Sequence, residues 1–210
     1  MAARKKTTAR KQSASRKGTS SRRTPDAIAL LKADHQAVQK LFDQYEKTRS
    51  DDRKATLAEQ ICEELTVHAR IEEEIFYPAA REVLRDEDLI DEATVEHAGA
   101  KDLIAQIEAG KPSDDLFDAK VTVLGEYIKH HVKEEQNEMF PKIRKTRLDL
   151  KALGERLQAR KMALKEGSGS KRSGSRSGGR SSGSAKAKAP KAQESEGIMA
   201  AMARGIGLTS

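Results

Sequence analysis

Two stretches of the 210-residue chain carry one chemical spacing: HARIEEEIFYP at 68–78 and HVKEEQNEMFP at 131–141. In each, a glutamate stands four residues after a histidine and a proline six residues after the glutamate, giving His68, Glu72 and Pro78, then His131, Glu135 and Pro141. Residues four apart lie on nearly the same face of an α-helix, one turn displaced, so an imidazole and a carboxylate can converge on one inner point. Two further histidines, His35 and His97, fall on otherwise apolar helical stripes. Four imidazoles and two carboxylates are borderline-to-hard donors that suit iron, and also manganese, cobalt or zinc. If both glutamates bridge a pair of ions, each ion receives two nitrogens and two oxygens, and an octahedral ion keeps about two positions open.

One histidine on an apolar stripe is ordinarily a hydrogen-bonded core residue, and one His-x3-Glu pair ordinarily a solvated one. Burying all six groups together without a cation is another matter, because each unpaired buried charge costs several kcal/mol. The joint pattern therefore points to metal.

The elements that must position these groups are helices. Thr24 is the expected cap of the first, with Pro25 at its first position and a stripe of Ile28, Leu31, His35, Val38 and Phe42. The second carries Leu57, Ile61, Leu65, His68, Glu72 and Ile75 inward, and Pro78 kinks or restarts it. The third, about 88–109, carries Ile90, Ala93, His97, Ile104 and Ile107 and stops at Gly110. The fourth follows PSDD, with Ser113 as its cap and Leu116, Lys120, Leu124, Ile128, His131, Glu135 and Met139 as its stripe. Short connections favour an antiparallel up-down-up-down four-helix bundle over residues 24–146, an all-α fold in which counting along each rod brings the six donors to one layer. Residues 147–166, with Leu150, Leu153, Leu157 and Leu164 on one side, form an additional amphipathic helix that packs on the bundle or on a second subunit.

Charge divides the chain. The formal net charge is +7, but residues 1–23 carry +9, residues 167–210 carry +6, and the segment between them carries −8. The N-terminal arm and the Gly/Ser/Lys/Arg-rich linker at 167–196 hold too few apolar side chains to offset the entropy of ordering, so both are expected to be disordered. No stretch is apolar enough to span a membrane, and no secretory signal is evident, so a cytoplasmic protein without a membrane partner is expected. Cys62 has no partner for an internal disulfide and is expected to be a small buried residue.

The order His35, His68-x3-Glu72, His97, His131-x3-Glu135, with an aromatic residue and proline after each pair (IFYP, EMFP), resembles the hemerythrin-like HHE cation-binding domain. The resemblance covers about residues 25–145. It implies a non-haem di-iron centre, two iron ions held by these six residues with Glu72 and Glu135 bridging. Two departures separate the chain from the oxygen carriers of that family. They place a second histidine where this chain has Lys101, and their last carboxylate is an aspartate spaced five from its histidine, against four for Glu135. The set is similar to HHE members that handle iron, nitric oxide or peroxide. Binding or processing of a small oxidant (oxygen, nitric oxide or peroxide), or sensing or storage of iron, is the implied function, and the resemblance leaves open whether the protein is an enzyme.

Around the ligands, His130 is read as exposed or as lying behind His131. Tyr127 either packs in the core or lines the pocket and donates a hydrogen bond, and Glu73, Glu74 and Glu134 are read as solvated. A second class of function is open as well. The basic arms could neutralise the phosphates of DNA, RNA or polyphosphate without reading sequence, placing the protein near the nucleoid. The last segment, residues 197–210 (GIMAAMARGIGLTS), has the form of a short docking tag for a partner's groove, and it resembles the loading peptides of hemerythrin-like cargo in encapsulin shells.

Overall fold

A computed structural model describes residues 24–84 and 88–174. The N-terminal arm, most of the linker and the C-terminal tag lie outside these residues.

Four rods form the bundle. Helix α1 spans Ala27–Lys47 and α2 spans Asp51–Ile71. A π-helical turn, Glu72–Phe76, joins α2 to α3, Tyr77–Arg81. Helix α4 spans Asp88–Glu108, and α5 spans Phe117–Glu134. A second π-helical turn, Glu135–Met139, leads into α6, Phe140–Arg144. The last helix, α7, spans Leu150–Gly174 and so continues past the expected boundary at 166. Helices α1 and α2, α2 and α4, α4 and α5, and α5 and α1 are in contact, which closes a four-membered ring.

Two apolar clusters fill the ring, with the polar layer between them. Leu31, Ile71, Ala93 and Met139 belong to one, and Val38, Leu65, Ala100 and Leu124 to the other. Along α1 the order is Leu31, His35, Val38; along α2 it is Leu65, His68, Ile71, the reverse direction. Helices α4 and α5 alternate in the same way, through His97 and His131. The up-down-up-down course is thus written in the order in which each rod crosses the same three levels.

The π turns explain the prolines. The Tyr77 amide donates to the carbonyl of Glu72, and the Phe140 amide to that of Glu135, so each turn closes five residues on instead of four. Pro78 and Pro141 follow one residue later. A proline lacks the amide proton and its ring crowds the carbonyl four residues back, so a turn widened just ahead of it relieves that crowding. The extra residue also shifts helical phase, letting His68 and Glu72 face the polar layer while Phe76 and Ala80 enter the apolar cluster below.

Helix ends differ from expectation in three places. Asp26, not Thr24, caps α1 by accepting from the Ala29 amide at 2.8 Å, and Pro25 lies before the helix. Ser113 does not cap α5. Leu116 precedes that helix at φ 70° and is 71% exposed, while Asp114 takes the Lys111 amide at 2.8 Å. The inward stripe of α5 consequently starts one residue later, at Phe117 and Val121.

Helix α7 packs on the bundle. Leu153 and Leu157 are buried against Ile28, Phe76 and Ile143, and Leu150 and Leu164 cover the margin. Polar straps flank them: Lys161 donates to Asp34 at 2.5 Å, Arg160 to both oxygens of Glu74 at 2.6 and 3.1 Å, and Lys165 to Glu64 at 2.5 Å. Glu74 is therefore engaged, not solvated. Cys62 is buried, and burial pushes its thiol up to about 12.

At the far end, Asp118 accepts from Lys54 and from the Tyr45 hydroxyl, the latter at 2.7 Å. Those two hydrogen bonds hold its carboxyl below the ordinary value of 3.8. A depressed carboxyl stabilises the fold above the unfolded value and ceases to do so as pH falls through the folded one. The urea midpoint of the wild type should therefore exceed that of Asp118→Asn at pH 5 and above, with the gap closing below pH 3.8; a gap that persists at pH 2 to 3, roughly, would contradict the assignment.

Candidate metal centre

The fold carries His35, His68, Glu72, His97, His131 and Glu135 into one layer, and all six are at most 6% exposed. They fall into two halves. His35 Nε2 and His68 Nε2 stand 2.9 Å apart, and His97 Nε2 and His131 Nε2 stand 3.2 Å apart. The two carboxylates lie between the halves. Glu72 Oε2 is 3.2 Å from His68 Nε2 and 3.4 Å from His97 Nε2, while Glu135 Oε2 is 3.3 Å from His35 Nε2 and 3.7 Å from His131 Nε2. Each glutamate reaches both halves.

The ring nitrogens facing outward explain which way the lone pairs point. His97 Nδ1 is 3.0 Å from Glu73 Oε1, and His131 Nδ1 is 2.7 Å from Glu96 Oε2. Asp34 Oδ2 faces His68 Nδ1 at 3.8 Å, and the Gln136 amide stands 3.1 Å from His35 Nδ1, where a half-turn offers its oxygen. Outer acceptors keep the proton on Nδ1 of His97 and His131, and of His35 once Gln136 is turned, so those Nε2 lone pairs point inward; Asp34 Oδ2 stands too far from His68 Nδ1 for a hydrogen bond, and both atoms lack a hydrogen-bond partner. Apart from the Tyr77 hydroxyl, which donates to Glu135 Oε1 at 3.1 Å, no side-chain donor among the described residues meets these inward lone pairs and the two carboxylates. Both oxygens of Glu72 and Oε2 of Glu135 are buried without a hydrogen-bond partner.

A cation resolves this. Metal–imidazole bonds of about 2.1 Å put adjacent octahedral or tetrahedral donors about 3 to 3.4 Å apart, which is the spacing found within each histidine pair. Protonation is the other remedy, and it is incomplete. Burial, followed by the charge of Glu135, raises the Glu72 carboxyl well above the usual range. Burial works the same way on Glu135, but His131 and His35 overcome it and hold that carboxyl down to about 2. Burial and neighbouring His131 push His97 down to about 4. The layer is a poor home for protons and a good one for metal.

The chain matches the Hemerythrin HHE cation binding domain over residues 26–143. It belongs to that family. This hemerythrin-like domain is 31% identical over 115 residues to a protein named DNA nickase from Nostoc sp. (strain PCC 7120 / SAG 25.82 / UTEX 2576), a match that covers 55% of this chain and 32% of that one. The chain thus spans about a third of that relative's length. Among solved structures, it resembles a hemerythrin HHE cation binding domain-containing protein from Mycobacterium kansasii, with a TM-score of 0.61 and 24% identity over 72% of this chain and 94% of that one. That likeness supports the fold. The protein is a metal-binding hemerythrin-like protein, and among the described residues no helix is long and apolar enough to cross a membrane.

The remaining candidates sort by position. His130 points away from the layer, its side chain 55% exposed, with Nε2 3.0 Å from Glu134 Oε1 and 3.8 Å from Glu96 Oε1. Tyr127 packs against the far apolar cluster and Gly99, and its hydroxyl makes no hydrogen bond to the six donors. The tyrosine that reaches the centre is Tyr77, whose hydroxyl donates to Glu135 Oε1 at 3.1 Å and lies 3.3 Å from His97 Nε2. Sequence reading passes over it, although it is the aromatic of IFYP. It also misses Asp34, Glu96 and Gln136, and takes Glu73 as solvated. A signal exists: Asp34 and Glu73 are adjacent in sequence to the candidate donors His35 and Glu72, and Glu96 to His97.

Tyr77→Phe should leave the metal content unchanged but remove the donor to a buried carboxylate. The expected cost is about 1–3 kcal/mol in the metal-loaded protein, with a shift of its near-ultraviolet absorption. Thermal melting and a spectrum check both, and an unchanged spectrum would place the hydroxyl outside the centre's influence.

Proposed function

We propose that the six residues hold a pair of iron ions and that the centre binds or processes a small oxidant. The observation that carries this is the convergence of four Nε2 atoms with Glu72, whose two oxygens lack a hydrogen-bond partner and which belongs to both halves, and Glu135, whose unpartnered Oε2 faces His35 and His131. A bound di-iron pair supplies redox change and open coordination positions.

The chain's own residues shape what reaches it. A cavity of about 20 Å³ adjoins His35, His68, His97 and His131, walled by Val38, Leu65, Ala100, Ile104 and Ile128. That is room for one water-sized or diatomic molecule, in a mainly apolar setting. Lys101, also on its wall, donates to both oxygens of Glu73 at 2.6 Å, so it steadies the acceptor of His97 Nδ1 in place of adding a nitrogen to the centre. Tyr77 holds Glu135 from the opposite side. Together these residues orient donors, exclude bulk water and admit only small molecules. Iron fits the donor set best; manganese or zinc would fit the same geometry without offering the same redox range.

The test is aerobic iron reconstitution followed by metal analysis and stopped-flow mixing with hydrogen peroxide or nitric oxide. About two irons per chain and a near-ultraviolet band that changes on mixing support the reading; less than half an iron per chain counts against it. A cytoplasmic setting agrees with iron and small-oxidant chemistry.

A second reading, association with nucleic acid or another polyanion through the basic arms, is favoured by the charge division and by similarity to a protein named DNA nickase. The arms and the proposed docking tag at 197–210 lie outside the described residues. Gel shifts of full-length protein at two salt concentrations test it, since phosphate neutralisation weakens steeply with salt.

A further inference from the structure

The bundle's own charge is segregated. Residues 24–140 carry a formal −14 and residues 141–165 carry +7. The basic part is α6, the turn after it and α7. Some of its cations are occupied: Arg160, Lys161 and Lys165 strap α7 to Glu74, Asp34 and Glu64, and Arg144 lies 3.7 Å from Asp26. Lys145, Arg147, Lys151 and Arg156 are exposed and have no ion pair among the described residues. Two acids lie in this part: Asp149 caps α7, accepting from the Lys151 and Ala152 amides at 3.1 and 3.0 Å, and Glu155 is exposed beside Arg156, so the four cations outnumber them two to one.

This cationic surface has a fixed address. Gly154 lies so close to the start of α1 that a Cβ there would meet the Pro25 carbonyl oxygen at 2.4 Å, and Arg144 pairs with Asp26. The first described residue, Thr24, thus sits beside the α6–α7 turn.

We propose that Lys145, Arg147, Lys151 and Arg156 form a docking surface for the phosphate backbone of duplex DNA beside the start of α1. The inference rests on the second reading above and extends it from the tails to the folded domain. Backbone binding, not base reading, is what the surface offers: the large apolar side chains exposed among the described residues are Val95, Leu116, Val123 and Met162, none of them aromatic. Without stacking platforms a single strand gains little here, whereas a duplex presents the densest regular array of phosphates. The acidic remainder of the bundle repels the duplex and so sets the orientation of approach.

The experiment uses the full chain with its native metal. A variant carrying K145Q, R147Q, K151Q and R156Q is compared with a control carrying K40Q, K47Q, K111Q and K129Q, four exposed lysines on the acidic part that remove the same charge. Fluorescence anisotropy with a random-sequence duplex of about 30 base pairs, at several salt concentrations, gives the slope of log K against log salt. Every phosphate that the protein no longer neutralises reduces that slope by about 0.9, so the first variant should flatten it by about 2 to 4 and the control by less than about 1. An equal effect of the two variants, or an unchanged slope in the first, overturns the docking surface while leaving tail binding intact. No measurable DNA binding by the wild type overturns both the surface and the reading it rests on. Helical signal and iron content unchanged in both variants show that folding is not what was altered.

Discussion

Glu72→Gln should empty the metal centre and, in the metal-free protein, leave the fold as stable as the wild type or more so. The two halves of this expectation have opposite signs for one reason. Both Glu72 oxygens are buried without a hydrogen-bond partner, and Oε2 faces His68 and His97 at 3.2 and 3.4 Å, so a bound cation compensates the charge. Remove the charge and each half loses a shared anionic donor, which should bring iron below about one per chain under conditions that load the wild type with about two. Without metal, the same carboxyl is strained by burial and by Glu135, and its value is raised well above the usual range. A neutral amide of the same shape avoids that repulsion. A ligand that binds only the folded state at a thousandfold excess over its Kd contributes about 4 kcal/mol. For a domain of this size that is a difference of roughly 10 °C or more between loaded and stripped wild type, and the variant should show almost none of it. Metal analysis and paired melting curves decide the matter; a variant that keeps two irons would mean the bridging role belongs elsewhere.

Gly154→Ala should be among the most damaging single-methyl additions in the chain. The new Cβ would stand 2.4 Å from the Pro25 carbonyl oxygen and 2.8 Å from the Ala27 amide nitrogen, both backbone atoms at the start of α1. Neither can rotate away, so α7 must lift. Its lift uncovers Leu153 and Leu157 and pulls on the straps to Asp34, Glu64 and Glu74. Overpacking of this kind costs about 1–3 kcal/mol, and partial release of α7 adds to it. Gly167→Ala provides the internal comparison. It lies in the same helix with nothing within 4 Å of its added methyl, so the gain in helix propensity of about 0.5–1 kcal/mol should stand alone. Urea unfolding of the two variants should move in opposite directions, and movement in the same direction would remove the close approach as the cause.

The six donors were legible because their chemistry conflicts with their surroundings: a histidine between Leu31 and Val38 asks to be explained. The apolar stripes of α1, α2 and α4 were legible for the complementary reason, since spacings of three and four leave little choice of face. The start of α5 was not. Leu116 reads as an inward residue by type, but the chain turns there in the left-handed region, and Phe117 takes the inward place. Tyr77 and the outer carboxylates were obscured because periodicity assumes a uniform pitch. Beyond Glu72 the pitch changes, and a count at 3.6 residues per turn points Tyr77 in the wrong direction. Glu73 and Glu96 look like ordinary charged surface until the neighbouring helix brings an imidazole to them.

The widened turns have a bearing on how the length of this chain can vary. Each rod must hold two registers at once, one for the donors and one for the aromatic floor beneath them, and the surplus residue after Glu72 or Glu135 is the vernier between the two. Deleting one residue from 73–77 would close the widened turn to a regular spiral and keep the downstream faces, at the cost of the room it gives Pro78, whereas deleting one from the regular part of α2 would rotate everything beyond it by about 100° about the axis. The same deletion in the connector at 48–50 only shortens a link. Drift in length is tolerable in the connectors and at the widened turns, and damaging in the regular spans between them.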